Sequence, residues 1–259
     1  MAEAYMLFSG SSGNCCYITH EGESILIDAG VSCKMISNAL GELGTGLHSI
    51  RAVFITHEHS DHTRGLVTIS KRYKIPIVCT RDVARAIAAF PETRPYIRII
   101  ETGVEVKLGH ITVVASHAPH DPVGHVCYRV GFDDGTQLGY ATDIGTLTGD
   151  VVSALCGCRY VVIESNHDVD MLRNGSYPPS LKRRVLSPLG HLSNAECASL
   201  IPRLVCEGCT TVVLAHLSRE NNRPEIALAE SRQSLISAGL DENSVHIEVA
   251  MPDTTVRIM

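Results

Sequence analysis

Between positions 57 and 62 the chain reads His57-Glu58-His59-Ser60-Asp61-His62, three imidazoles and the carboxylate of Asp61 within six positions. Imidazole and carboxylate together suit zinc, manganese or iron. The cluster directly follows the apolar run Ala52-Val53-Phe54-Ile55, which reads as a buried strand. A loop leaving a strand end can turn several side chains toward one point. The rival is a solvated polar turn that happens to be histidine-rich in a chain with 13 histidines among 259 residues. Three further strand ends weigh against that rival. Asp143 follows Leu138-Gly139-Tyr140-Ala141-Thr142, His216 follows Val212-Val213-Leu214-Ala215, and His120 lies just past the Ile111–Ala115 run. Ligands gather beyond the carboxyl ends of strands in α/β sheets, so four such ends carrying metal-binding side chains predict one site.

The elements that would position these groups are short. Ser24-Ile25-Leu26-Ile27-Asp28 reads as a strand, preceded by the turn Ser9-Gly10-Ser11-Ser12-Gly13-Asn14. A helix is expected over Gly65–Tyr73, a strand over Ile77–Cys79 and a helix over Arg81–Phe90. Strands follow over Val104–Leu108, Ile111–Ala115, Val126–Val130 and Gln137–Ala141, the last two joined by the hairpin signal Asp133-Asp134-Gly135. A helix around Val151–Leu155, a strand Tyr160–Ile163 and an irregular stretch Asn166–Pro179 come next. A helix beginning near Asn194, a strand Thr211–Leu214, a helix Pro224–Ala238 and a strand Val245–Val249 complete the chain. No linker rich in Pro, Gly or Ser interrupts this rhythm, which predicts one α/β domain over residues 1–259 with helices covering sheets.

Composition narrows the class. Hydrophobic content of 44% with 19% charged residues is enough for a substantial core. A net charge of −6 argues against a general nucleic-acid coat protein, yet leaves room for a nuclease whose metals reverse the field locally. Lys182-Arg183-Arg184, the densest basic run, reads as a solvated helix face. The ten cysteines are scattered, several in apolar runs (Cys79, Cys127, Cys156), and Cys206-Glu207-Gly208-Cys209 lacks a second pair at zinc-finger distance. They read as reduced structural thiols. With no signal-peptide pattern at the N-terminus and no long apolar stretch, a cytoplasmic location without a membrane partner is the expectation.

The pattern His57-x-His59-x-Asp61-His62, with the later strand-end residues in order, resembles the metallo-β-lactamase-fold hydrolases. That resemblance implies an αββα sandwich of two mixed β-sheets flanked by helices, and two divalent metal ions. His57, His59 and His120 would hold one; Asp61, His62 and His216 would hold the other, with Asp143 between them. Asp28 matches the family's early acidic strand end and would brace the site. His117 and His125 lie close to His120, and the sequence leaves open which imidazole is the third ligand. Within the family, Ser9–Asn14, Glu164-Ser165-Asn166-His167, Gly190-His191-Leu192-Ser193-Asn194 and Leu214-Ala215-His216-Leu217-Ser218 are similar to the YycJ/WalJ group. This implies a metal-dependent phosphodiesterase acting on DNA as a 5′-to-3′ exonuclease. The Gly190–Ala195 segment also resembles the His-containing loop of tRNA 3′-processing nucleases, although the chain has no long insertion for an RNA-gripping arm.

The expected chemistry is in-line attack on phosphorus by a hydroxide bridging two metals, with Asp61 in the catalytic set and His191 as general acid. Ser193 or Asn194 would cap the following helix and offer its amides to a phosphate. His167 and Asn222 are further candidates for substrate contact, and Arg219, Asn221 and Arg223 read equally as phosphate contacts or a solvated loop. Asn14 is expected to face the site, whereas His20, His48, His110 and His246, in exposed or turn contexts, receive no role. Two rivals remain: a small-molecule hydrolase of the same fold, either a glyoxalase II-like thioesterase or a cyclic phosphodiesterase, and a non-catalytic metal-binding regulatory protein. Metal identity, DNA against RNA or a small phosphodiester, cleavage polarity and oligomeric state are left open by the sequence.

Overall fold

The computed structural model describes residues 1–121 and 124–259. The first half of the chain supplies β1 (Glu3–Phe8), β2 (Cys15–His20), β3 (Glu23–Ile27), β4 (Ile50–Phe54), β5 (Ile77–Cys79) and β6 (Ile97–Ile99). The second supplies β7 (Glu105–Leu108), β8 (Ile111–His117), β9 (Val126–Phe132), β10 (Gln137–Ala141), β11 (Tyr160–Glu164), β12 (Thr211–Ala215) and β13 (His246–Val249). A last strand, β14 (Val256–Arg257), returns to pair with β1. Each half forms a seven-stranded sheet, in the orders β14-β1-β2-β3-β4-β5-β6 and β13-β12-β11-β10-β9-β8-β7. The two sheets share a plan: antiparallel pairing through β3 in one and through β10 in the other, then parallel pairing onward.

Most strands are buried on both faces, which is why they read as continuous apolar runs rather than alternating ones. Along β3, Ile25 and Ile27 enter the layer between the sheets with Phe54, Tyr128 and Tyr140. Leu26, one residue out of phase, faces outward. There it packs with residues of α1 (Cys33–Glu42), α3 (Leu66–Tyr73) and α4 (Arg81–Ile87); the single turn α2 (Ser60–Thr63) carries part of the histidine cluster. The outer face of the second sheet is covered by α5 (Gly149–Leu155), α8 (Asn194–Cys206) and α9 (Pro224–Ser237), while α6 (Val169–Asn174) and α7 (Pro179–Val185) lie in the β11–α8 connection. This is the αββα arrangement with two mixed sheets. The fully buried Tyr128 hydroxyl donates to the Ile55 carbonyl at 2.7 Å, tying the sheets together two residues before His57.

Several elements differ from the sequence expectation. β1, β2 and α1 carried no strong period and were not anticipated. The stretch 166–179 is not irregular throughout: the Asp168 side chain accepts from Met171 N and starts α6. The helix expected to reach Phe90 ends at Ile87. His20 is not in an exposed context; it is buried and bonded to Asp133 of the β9–β10 hairpin at 2.6 Å. Lys182, Arg183 and Arg184 do sit together on α7, where Arg184 pairs with Asp121. No helix among the described residues is long and apolar enough to cross a membrane.

Candidate metal centre

Six strand ends converge at one edge between the sheets. Asp28 ends β3, His57 follows β4, His120 follows β8, Asp143 follows β10, Glu164 ends β11 and His216 follows β12. Asp28, Asp143 and His216 all adopt left-handed backbone, with φ of +62°, +56° and +56°. For residues with a Cβ this conformation is uncommon and costs of order 1–3 kcal/mol, sustained only where surrounding contacts over-determine it. Here it turns each side chain sharply off its strand and back into the site.

The loop bearing the cluster is held by backbone hydrogen bonds, with Thr63 Oγ1 adding bonds to the carbonyls of Glu58 and His59. Asn14 N donates to Asp61 O and Ala29 N to His62 O, each at 2.8 Å, while Gly65 N donates to Ala29 O. Gly30 lies so close beneath Asp61 that a β-carbon there would sit 1.6 Å from the Asp61 carbonyl oxygen. The side-chain bonds then orient the imidazoles. Asp28 accepts from Thr56 N at 2.9 Å and from His62 Nδ1 at 2.7 Å, which leaves His62 Nε2 facing Asp143, 3.0 Å away. His120 Nδ1 donates to Gly190 O at 3.0 Å, and His216 Nδ1 to Glu164 at 2.8 Å. In each case one ring nitrogen is committed to a protein acceptor, so the other is free to ligate.

Three groups of potential ligand atoms result, each with its members within 4.8 Å of one another: His57, His59 and His120; Asp61, His62, Asp143 and His216; and, overlapping the second, Asp143, Glu164, His191 and His216. Of the three candidate imidazoles near position 120, the structure brings His120 to His57 and His59. His117 points away to Thr102, and His125 packs behind, its ring centroid 4.9 Å from that of His57. His57 Nε2, Asp143 Oδ2 and His216 Nε2 are buried and lack hydrogen-bond partners. Buried polar atoms are rarely left so, and each of these belongs to a residue of one of the candidate ligand groups. The electrostatics agree. Burial disfavours charge on His62, but Asp28 and Asp143 outweigh it and raise its pKa to about 10. His57 is pushed well below its ordinary value by burial and the neighbouring imidazoles, which outweigh the opposing charge of Asp143. A pocket that holds carboxylates this tightly demands positive charge.

Glu164 was missed as a working residue, although it ends an apolar strand as Asp143 and His216 nearly do. It is fully buried and accepts from His191 Nδ1 and His216 Nδ1, both at 2.8 Å, and from the amides of Ile144 and Leu192. His191 consequently stands at the rim, its ring 5.1 Å from that of His120 and 5.3 Å from that of His216. Burial would lower its pKa; the Glu164 charge and hydrogen bond, with Asp143, reverse the sign and raise it. Asn14 faces the site as expected, its amide 3.0 Å from His62 Nε2. Ser193 caps α8 in a reciprocal pair with Glu196, and its side chain also lines a cavity beside His191. Asn194 and Asn222, expected at the substrate, are both buried. Their amides pair with each other at 2.9 Å and with Ser165, consuming both side chains in a buried bracket under the strand ends.

Comparisons agree with this geometry. Residues 23–216 match the family model described as the Beta-lactamase superfamily domain. The exodeoxyribonuclease YycJ of Bacillus anthracis is 32% identical over 90% of this chain and 89% of its own. The exodeoxyribonuclease WalJ of Streptococcus pneumoniae is 33% identical over 96% of this chain and 93% of its own. Among solved structures, the metallo-β-lactamase fold protein YhfI from Bacillus subtilis superposes with a TM-score of 0.71 over 99% of both chains at 14% identity, a likeness of fold. The chain belongs to the metallo-β-lactamase superfamily of metal-dependent hydrolases, alongside the YycJ/WalJ proteins.

Proposed function

We propose that this protein is a two-metal phosphodiesterase that removes nucleotides from DNA ends in the 5′-to-3′ direction. His57, His59 and His120 would hold one divalent ion, Asp61, His62 and His216 the other, with Asp143 between the two groups. The imidazole and carboxylate donors fit zinc, manganese or iron. Such a pair of ions supplies an activated water and neutralises the phosphoryl oxygens. The chain's own groups do the rest. Asp28 and Glu164 fix the tautomers of His62 and His216.

The observation that carries the phosphodiester reading is the Glu164–His191 pair at the rim. Glu164 accepts from Nδ1 and keeps the imidazolium favoured, so Nε2 can give a proton to the leaving oxygen. An alkoxide leaving group needs that proton; a thiolate, the leaving group of a thioester, does not. Near relatives named as exodeoxyribonucleases support DNA as the polymer. Strand ends of both sheets contribute to the site, which supports residues 1–259 acting as one domain. Ten free cysteines, nine of them buried, support a reducing compartment such as the cytoplasm.

The test offers purified protein, loaded with manganese or zinc, 5′-phosphorylated DNA, bis(4-nitrophenyl) phosphate and a thioester. DNA cleavage is expected, and thioester cleavage alone overturns the proposal. His191→Ala should lower DNA turnover by about 10²–10⁴-fold with metal content retained. Its effect on the nitrophenyl diester should be much smaller, because nitrophenolate departs without a proton.

A further inference from the structure

Past His191 the site continues into a cavity of about 270 Å³ whose floor is His167 and whose mouth carries Arg173. His167 is only 1% exposed, yet neither ring nitrogen has a hydrogen-bond partner. Its backbone is fixed, with His167 O accepting from Asn194 N at 2.9 Å. An imidazole held rigidly and buried with both polar atoms unmet points to a ligand that meets them. Arg173 ends α6 next to an open mouth. Among the described residues Arg184 pairs with Asp121 and Arg219 with Asp253, whereas Arg173 pairs with no carboxylate. Of the acids beside it, Glu196 Oε2 accepts from Ser193 N and Oγ, and Asp168 Oδ1 caps α6. Leu186 and Pro188 form an apolar wall opposite. Pockets for drug-sized ligands run from about 300 Å³ upward, so this one is of the size of a single nucleotide.

We propose that this cavity binds the one nucleotide that leaves in each turnover, its own phosphate on Arg173 and its sugar or base edge on His167. The assignment rests on the phosphodiesterase reading above. In the cleavage step the oxygen of water bonds to phosphorus, the bond from phosphorus to the leaving 3′ oxygen breaks, and that oxygen takes the proton of His191. Because the cavity adjoins His191, it lies on the leaving-group side, and with the proposed 5′-to-3′ direction the leaving group is the small fragment. That fragment is the 5′-terminal nucleotide, released with its 5′-phosphate and a 3′-hydroxyl, and the shortened strand keeps a new 5′-phosphate.

Deoxyadenosine 5′-monophosphate and deoxyadenosine serve as probes against cleavage of 5′-labelled DNA by the metal-loaded protein. The monophosphate is expected to inhibit competitively, deoxyadenosine far more weakly. The inhibition constant should rise about tenfold or more in Arg173→Met and in His167→Asn, with the rise in KM for DNA exceeding any fall in kcat. The exposed position of Arg173 keeps the test open should the buried variant fail to fold, and thermal melting and metal content report on folding in both. The first labelled product should be a mononucleotide. Inhibition by the monophosphate that is absent, matched by deoxyadenosine, or indifferent to Arg173 while DNA is still cut overturns the subsite alone. Failure of the unaltered protein to cut any DNA while it cleaves thioester overturns the phosphodiesterase reading itself.

Discussion

Glu164 does for His191 and His216 what Asp28 does for His62: a buried carboxylate takes the Nδ1 proton and aims the other nitrogen into the site. Removing one such acceptor while keeping its shape should weaken metal binding or activity by about 10–100-fold. Glu164→Gln and Asp28→Asn are therefore expected to keep their circular dichroism spectra and lose affinity in a metal titration; wild-type affinity in both would show that these carboxylates do not orient the ligands. A different carboxylate acts on the fold. Asp133 accepts from His20 Nε2 and His110 Nδ1, each at 2.6 Å, clipping the β9–β10 hairpin to β2 of the other sheet. Those hydrogen bonds hold its pKa below the ordinary value. A depressed carboxylate contributes stability above its unfolded pKa of about 4 and loses it as pH falls through the lower folded value. Asp133→Asn should therefore narrow the gap between urea midpoints measured at pH 7 and pH 3, relative to the unaltered chain.

At the scale of elements, the glycines separate site from scaffold. Gly30→Ala must displace the carbonyl of Asp61, so it should lower stability by about 1–3 kcal/mol or more and reduce metal occupancy together. Gly41, exposed within α1 with open space around its Cα, should instead gain about 0.5–1 kcal/mol as alanine, because only unfolded-chain entropy changes. Urea midpoints of the two variants moving in the same direction would contradict this. The strands β3, β4, β8–β12 and the Asp133-Asp134-Gly135 hairpin were legible in sequence because each is a compact apolar run bounded by turn residues. β1, β2 and α1 were not, since cysteine, glycine and polar residues interrupt their pattern. The short helix α6 was hidden for another reason: it has six residues and one cap, too little for a period to register.

Across the whole molecule, both sheets turn from antiparallel to parallel pairing and deliver their strand ends to one edge, so the centre is stabilised only when the sheets are docked. The buried imidazoles and carboxylates gathered there make bound metal a folding ligand. Metal at about 100 times its dissociation constant should add about 2.7 kcal/mol. Chelation is accordingly expected to lower the melting temperature, and an unchanged melt would contradict a buried site. The sequence alone determined the superfamily and the ligand types, because a dense motif at a strand end and repeated polar strand ends are local features of the chain. Which imidazole joins His57 and His59, the double duty of Glu164, the withdrawal of Asn194 and Asn222 into a bracket, and the cavity over His167 were decided only by the tertiary structure. Each depends on contacts between residues some 20 to 70 positions apart, made when distant strand ends and loops meet, and no local pattern encodes the direction in which a side chain leaves a left-handed turn.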